Sequence, residues 1–280
     1  MKKIAYYHTT LTDDFGTWSS IFMEQLKCME DSGLLAELDE LNISAITQND
    51  LRNKFFASLF DTKTFSGTKM KVNLELYQNS FANDIDMINN IQSQDGRGTV
   101  TENVTLQKLW NKCQQEDVHV LYFHAKGLTA FWRALKLDNP QLFTQYFYGR
   151  QFSNWGVLTN WKTCVEALEN YDTAGVFLQR EYPCYGANFF WSKSSYIRTL
   201  ANPATVDWWY EKKRTSANEW VRNSASERFK EEQWTLSNPN AKPYNLVELV
   251  PPGKFLIGED PYLTYFPASK YLTREKNPTK

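Results

Sequence analysis

Apolar and polar positions along the chain follow two periods. Ile4-Ala5-Tyr6-Tyr7 and the run Val118, Val120, Leu121, Tyr122 and Phe123 are short, apolar and β-favouring, which reads as strands buried on both faces. Leu41–Ile46 alternates and predicts a further strand, as does Met70–Leu76. Between the first two, Ile21, Phe22, Leu26 and Met29 recur at the helical period from Trp18 until Ser32-Gly33 stops them. Thr99–Gln115 reads as a helix with Leu106, Leu109 and Trp110 on its apolar face and Glu102 in its first turn. Residues 129–153 read as helical on either side of Pro140. Trp155–Asn170 reads as an amphipathic helix with Trp161, Val165 and Leu168 inward. Ala174–Leu178 is a strand candidate and Ala187–Trp191 a second apolar run. Lys193–Leu200 and Asn218–Phe229 complete the helices.

Strand, helix and strand in succession predict an α/β fold: a Rossmann-like, mostly parallel central sheet flanked by helices. The pattern places residues 1–235 in one domain. The proline-rich stretch 236–280, with little periodicity, is expected as an irregular C-terminal segment that wraps the same domain. Neither G-x-G-x-x-G nor G-x-x-x-x-G-K-[ST] occurs, so a dinucleotide fingerprint and a P-loop are unsupported.

Composition narrows the partners. With 22% charged residues and a net charge of -1, no broad basic field for nucleic acid arises. Aromatics reach 15%, with 10 Trp and 15 Tyr, which suits rings stacking on sugars or bases as well as ordinary packing. Cys28, Cys113, Cys164 and Cys184 are far apart, which predicts free thiols in a reducing compartment. With no secretory h-region and no long apolar run, the expectation is a soluble, cytoplasmic protein without a membrane span.

The candidate chemistry sits at strand ends. The first strand exits into His8-Thr9-Thr10, and the central one into His124-Ala125-Lys126-Gly127. Ligands of open α/β sheets bind outside the carboxyl ends of strands, so a titratable ring, a cation and a permissive glycine there predict a phosphate-bearing ligand. A plain polar turn is the alternative. Asn188, an amide in an apolar run, is read as a fixed donor and acceptor for hydroxyls, against a turn residue. Glu219 and Trp220 stand near the start of a helix, where a carboxylate is stabilised by the dipole.

Taken together, Y-Y-H at 6–8, W-S-S-I-F-M-E-Q-L at 18–26, S-G-L at 32–34, T-L-Q-K-L-W at 105–110, Y-F-H-A-K-G at 122–127 and G-A-N-F-F-W-S-K-S-S-Y-I at 186–197 resemble a family of GT-A-type glycosyltransferases of bacteria and large algal viruses. Size and pattern are also similar to the xylosyltransferases of chlorovirus capsid-protein N-glycan synthesis, acting in the host cytoplasm. The resemblance implies a GT-A-like fold with a donor half over residues 1–128 and an acceptor half over residues 129–235. It implies an inverting transfer from a UDP-sugar to a glycan hydroxyl. Donor contacts would come from His8, Thr9, Thr10, His124, Lys126 and Gly127, and acceptor contacts from Asn188, Trp191, Tyr196 and Trp220. Glu219 would be the general base.

The chain departs from the family at the metal motif, having His124-Ala125-Lys126 where relatives carry D-x-D. Lys126, aided by His124, is one source of positive charge for the leaving diphosphate. The resemblance favours the other, an assisting divalent metal, manganese or magnesium, with its ligands unassigned. Asp13-Asp14, Asp84-Ile85-Asp86 and Glu259-Asp260 are the remaining acidic pairs. Two further readings are a non-catalytic carbohydrate-binding protein and a nucleotide hydrolase or nucleotidyltransferase.

Overall fold

A computed structural model describes residues 1–12, 15–47, 69–78, 102–128, 140–179, 183–205 and 229–246, with isolated positions between them. Strand β1 (Lys2–Thr10) leads into α1 (Phe15–Asp31) and the short α2 (Leu34–Glu37), followed by β2 (Glu40–Thr47) and β3 (Lys71–Gln78). Helix α3 (Asn103–Gln115) delivers the chain to β4 (Val118–His124). Helix α4 (Pro140–Asn154), a π-helical segment at Trp155–Thr159 and α5 (Trp161–Ala167) come next. The strands β5 (Thr173–Gly175), β6 (Leu178–Gln179), β7 (Cys184–Tyr185) and β8 (Phe190–Lys193) precede α6 (Ser194–Ile197), α7 (Phe229–Trp234) and β9 (Pro243–Asn245).

Seven strands form one sheet in the order β3-β2-β1-β4-β8-β5-β9. Neighbours are parallel except for β8, which runs antiparallel to both β4 and β5. The sheet is therefore the expected mostly parallel, Rossmann-like one. The central strands β1 and β4 are buried on both faces because helices cover each side, whereas the edge strand β3 stays exposed or half-buried. Ala5, Tyr7, Leu121 and Phe123 join Trp18, Ile21, Phe22 and Leu26 of α1 in one cluster, and Ile4, Tyr6, Val120 and Tyr122 join Leu106 and Leu109 of α3 in the other. The strand period of two sends alternate residues into these separate cores.

Several boundaries differ from the periodicity. The strand expected at Ala174–Leu178 stops at Gly175, because Phe177 takes a left-handed φ of 56° and redirects Leu178 into a two-stranded ribbon with β7. The helix expected at Trp155–Asn170 opens as a π-helix and breaks at Asn160, whose Nδ2 donates to Trp155 O at 2.8 Å. Gly156 lets Val176 pack against this segment, since a Cβ there would lie 2.3 Å from Val176 Cγ1. The expected strand at Ala187–Trp191 begins later, at Phe190, and its predicted helical neighbour is confined to α6. Within the segment expected to wrap, Pro243–Asn245 instead extends the sheet beside β5. Residues 129–137 and most of the Asn218–Phe229 helix lie outside the described residues, as does 247–280.

Candidate functional site

Strands β1 and β4 run side by side in register, so His8 stands opposite His124 at their carboxyl ends. From β1 the chain moves outward to β2 and β3, then returns to β4 on the other side. Such a reversal of strand order is a topological switch point, where an open sheet borders a ligand crevice. α1 and α3 cover opposite faces of the sheet here.

On the α3 face a carboxylate meets two imidazoles. Glu102, the residue that starts α3, accepts the Tyr122 hydroxyl at 2.7 Å and an Asn188 Nδ2–H at 3.0 Å, both on Oε2. Its Oε1 lies 3.6 Å from His124 Nδ1. The other ring nitrogen, Nε2, is 2.8 Å from Ala187 O. His8 Nδ1 and Thr105 Oγ1 are hydrogen-bonded at 2.9 Å. Burial drives the His8 imidazole down to about 4, with Glu102 opposing and His124 adding to the effect. Burial likewise lowers His124, against the pull of Glu102. Burial alone would raise Glu102, but His124 and His8 whenever they carry a proton, the Tyr122 hydrogen bond and Lys126 outweigh it and hold the carboxyl well below its usual range.

On the α1 face a second network holds the turn after β4. Lys126 N–H donates to His124 O at 2.8 Å, and Leu128 N–H to Ala125 O at 3.2 Å. Gly127 completes the turn at φ 88°, a conformation glycine adopts without strain. Arg150 from α4 grips Glu24 of α1 through Nε at 3.0 Å and Nη2 at 3.1 Å, while its Nη1 donates to Lys126 O at 2.9 Å. Gln25 Nε2 donates to His124 O at 3.0 Å and to Asn154 Oδ1 at 3.2 Å, and Asn154 Nδ2 donates to Glu24 Oε1 at 2.7 Å. Two carbonyls of the exit turn are thus fixed from below. Lys126 itself is half-buried, with its Nζ 5.9 Å from the Tyr146 ring centroid.

A family model described as Domain of unknown function (DUF8361) matches residues 6–260. The chain belongs to this family. None of the curated proteins matches its sequence. Among solved structures, the crystal structure of 4-diphosphocytidyl-2C-methyl-D-erythritol synthase from Anaerococcus prevotii DSM 20548 is similar at 11% identity, covering 88% of this chain and 86% of its own, with a TM-score of 0.31. At that level the similarity carries no argument, and the α/β assignment of this DUF8361 chain rests on its own sheet.

The DUF8361 site brings together His8, His124, Lys126, Gly127 and Asn188, and sorts them differently from the sequence-based roles. The sequence assigns His124 to the diphosphate. Its ring is instead buried, with one nitrogen committed to Ala187 O and the other facing Glu102. Thr9 is buried on the α1 face beside Tyr7, and Thr10 is half-buried at the strand end. Asn188 is the turn residue of the two readings: at φ 56° it directs its amide onto Glu102 and, at 3.4 Å, onto Glu231 O, rather than into solvent. Trp191 offers no face to a sugar. It is 0% exposed in the core and donates from Nε1 to Val157 O at 2.8 Å. Tyr196 is likewise buried, its hydroxyl donating to Thr235 O at 2.7 Å. Glu219 and Trp220 lie outside the described residues.

Periodicity missed Glu102, Glu24, Gln25 and Arg150. One signal was present: Gln25 falls in the buried stripe between Ile21 and Met29, where an amide needs a reason. Among the described residues no group of three or more His, Cys, Asp or Glu could hold a metal ion. Glu102 Oε2 is already saturated, and a lysine stands beside it. The described donors do not fit a divalent cation; Asp13, Asp14, Asp84, Asp86, Glu259 and Asp260 lie outside them. No described helix is long and apolar enough to cross a membrane.

Proposed function

We propose that this chain is a glycosyltransferase moving a sugar from a UDP-sugar to a hydroxyl of a glycan acceptor, with inversion at the anomeric carbon. The observation that supports the reading is the placement of Lys126-Gly127 beside an ionisable cluster at the switch point of a parallel sheet. A diphosphate lying over that turn would receive the Lys126 ammonium and the close approach that Gly127 permits. As the sugar leaves, charge develops on the diphosphate oxygen, and a preorganised cation favours that state more than the bound donor. UDP-xylose is the first donor to try and a capsid-protein N-glycan the acceptor class, following the sequence resemblance. In this reading residues 1–128 carry the donor side and residues 129–235 the acceptor side, within one domain.

A non-catalytic carbohydrate-binding role drew its support from the tryptophans. Trp18, Trp191, Trp209 and Trp234 are fully buried, so these four serve packing. The transferase reading is tested by thermal melting of the full chain with a panel of sugar nucleotides, alongside release of UDP. One of them should raise the melting temperature, since a ligand that binds only the folded state stabilises it. Lys126→Ala should then lower turnover about 10²–10³-fold with little change in melting temperature, the usual effect of removing one preorganised stabilising group. A panel that shifts nothing overturns the proposal.

A further inference from the structure

The hydrogen-bond chemistry around His124 leaves one position for a proton vacant. Ala187 O can only accept, so the 2.8 Å contact places a hydrogen on His124 Nε2. A neutral ring then presents its Nδ1 lone pair to Glu102 Oε1, 3.6 Å away, and both are acceptors. Glu102 Oε2 is turned away and occupied by Tyr122 and Asn188. The left-handed backbone of Asn188 holds that amide in place. Oε1 and Nδ1 therefore face each other as two acceptors with no hydrogen between them, and a proton delivered to Oε1 would turn the contact into an O–H donating to Nδ1. The Glu102 side chain keeps 21% of its surface exposed.

We propose that Glu102, with His124 behind it, is the proton acceptor of the transfer step. The proposal rests on the transferase reading. The bond between the anomeric carbon and the diphosphate oxygen breaks, and its electron pair leaves with UDP. The acceptor hydroxyl oxygen forms the new bond to that carbon, and its proton passes to Glu102 Oε1. Glu102 is the catalytic residue and His124 a positioning residue that stabilises the protonated pair from its Nδ1. The groups facing the pair are His8 from β1, Tyr122 from β4, Lys126 from the exit turn, and Glu231 and Glu232 from α7.

The test is Glu102→Gln in the full chain. A glutamine keeps an oxygen for Tyr122 and Asn188 and turns an N–H toward His124 Nδ1, so the fold and donor binding should persist. With UDP-xylose or UDP-glucose as donor and water or methyl β-glucoside as acceptor, turnover should fall about 10²–10⁴-fold throughout the neutral range, because Glu102 is ionised at all of those pH values. A nitrogen-15 NMR titration supplies a readout independent of substrate: losing the carboxylate charge should move protonation of His124 to lower pH. An unchanged His124 titration overturns the pairing. Undiminished turnover by Glu102→Gln, with donor binding intact, overturns the assignment of the base, and loss in Glu219→Gln alone transfers it there. If wild-type chain neither binds nor cleaves any sugar nucleotide, the transferase reading itself falls, whatever the titration shows.

Discussion

His8 and His124 are imidazoles placed where water cannot solvate their charged form, and the consequence is a pH dependence of stability with a definite sign. His8 is held near 4 in the folded chain, against about 6.5 for an exposed ring. The unfolded chain therefore binds a proton that the folded chain refuses between those values, and stability falls as pH drops from 6.5 toward 4. At about 1.4 kcal/mol per pH unit the loss from this one ring totals about 3 kcal/mol. Glu102 acts in a separate window, because its stabilising contribution is present above the ordinary carboxylate range and is lost only in stronger acid. His8→Asn retains a polar atom near the Thr105 hydroxyl without an ionisable ring. Urea unfolding measured from pH 7 to 4 should show a shallower decline in that variant than in the wild type. Identical slopes would place the proton uptake on another group.

Elements that bury an uninterrupted apolar stripe were legible in the sequence, as β1, β4, α1 and α3 demonstrate. Those shaped by a single local contact were not. Phe177 ends β5, Asn160 resets the helix after Trp155, and Asn188 bends the chain into β8, and each acts through a backbone geometry or hydrogen bond that periodicity does not encode. The turn after β4 combines the two: His124-Ala125-Lys126-Gly127 was visible as a candidate, but the arginine that fixes it comes from α4. Gly127→Ala tests that construction. Its φ of 88° strains any side chain, and a Cβ would lie 3.1 Å from Arg150 Nη1 and 3.3 Å from Tyr146 Cβ. Gly33→Ala is the matched control, with φ 74° and nothing within 4 Å. Both should lose about 1–2 kcal/mol of stability from backbone strain. Only Gly127→Ala should also diminish the melting shift caused by UDP-xylose. A full shift in that variant would place the donor elsewhere.

Across the whole molecule, the order of strands decides which distant residues meet, and this was only partly readable. Alternating strands and helices imply a parallel sheet, and strand ends then point to the switch point. What the order of elements could not reveal is that Glu102, read as an ordinary first-turn carboxylate, faces two histidines from separate strands. Nor could it show that Phe190–Lys193 runs antiparallel beside β4, which brings Ala187 and Asn188 just before it onto His124 and Glu102. The same arrangement bears on metal use. The turn after β4 presents Lys126, and the nearby carboxylate is occupied by Tyr122 and Asn188. A cation added at that position would meet like charge from the lysine, with one carboxylate oxygen facing an imidazole. UDP release from a sugar nucleotide should therefore survive EDTA, and its rate should not depend on whether manganese or magnesium is supplied. Activity abolished by EDTA and restored by manganese would show that carboxylates beyond the described residues recruit an ion. Replacing Asp13, Asp14, Asp84 or Asp86 singly by asparagine would then identify which of them is indispensable.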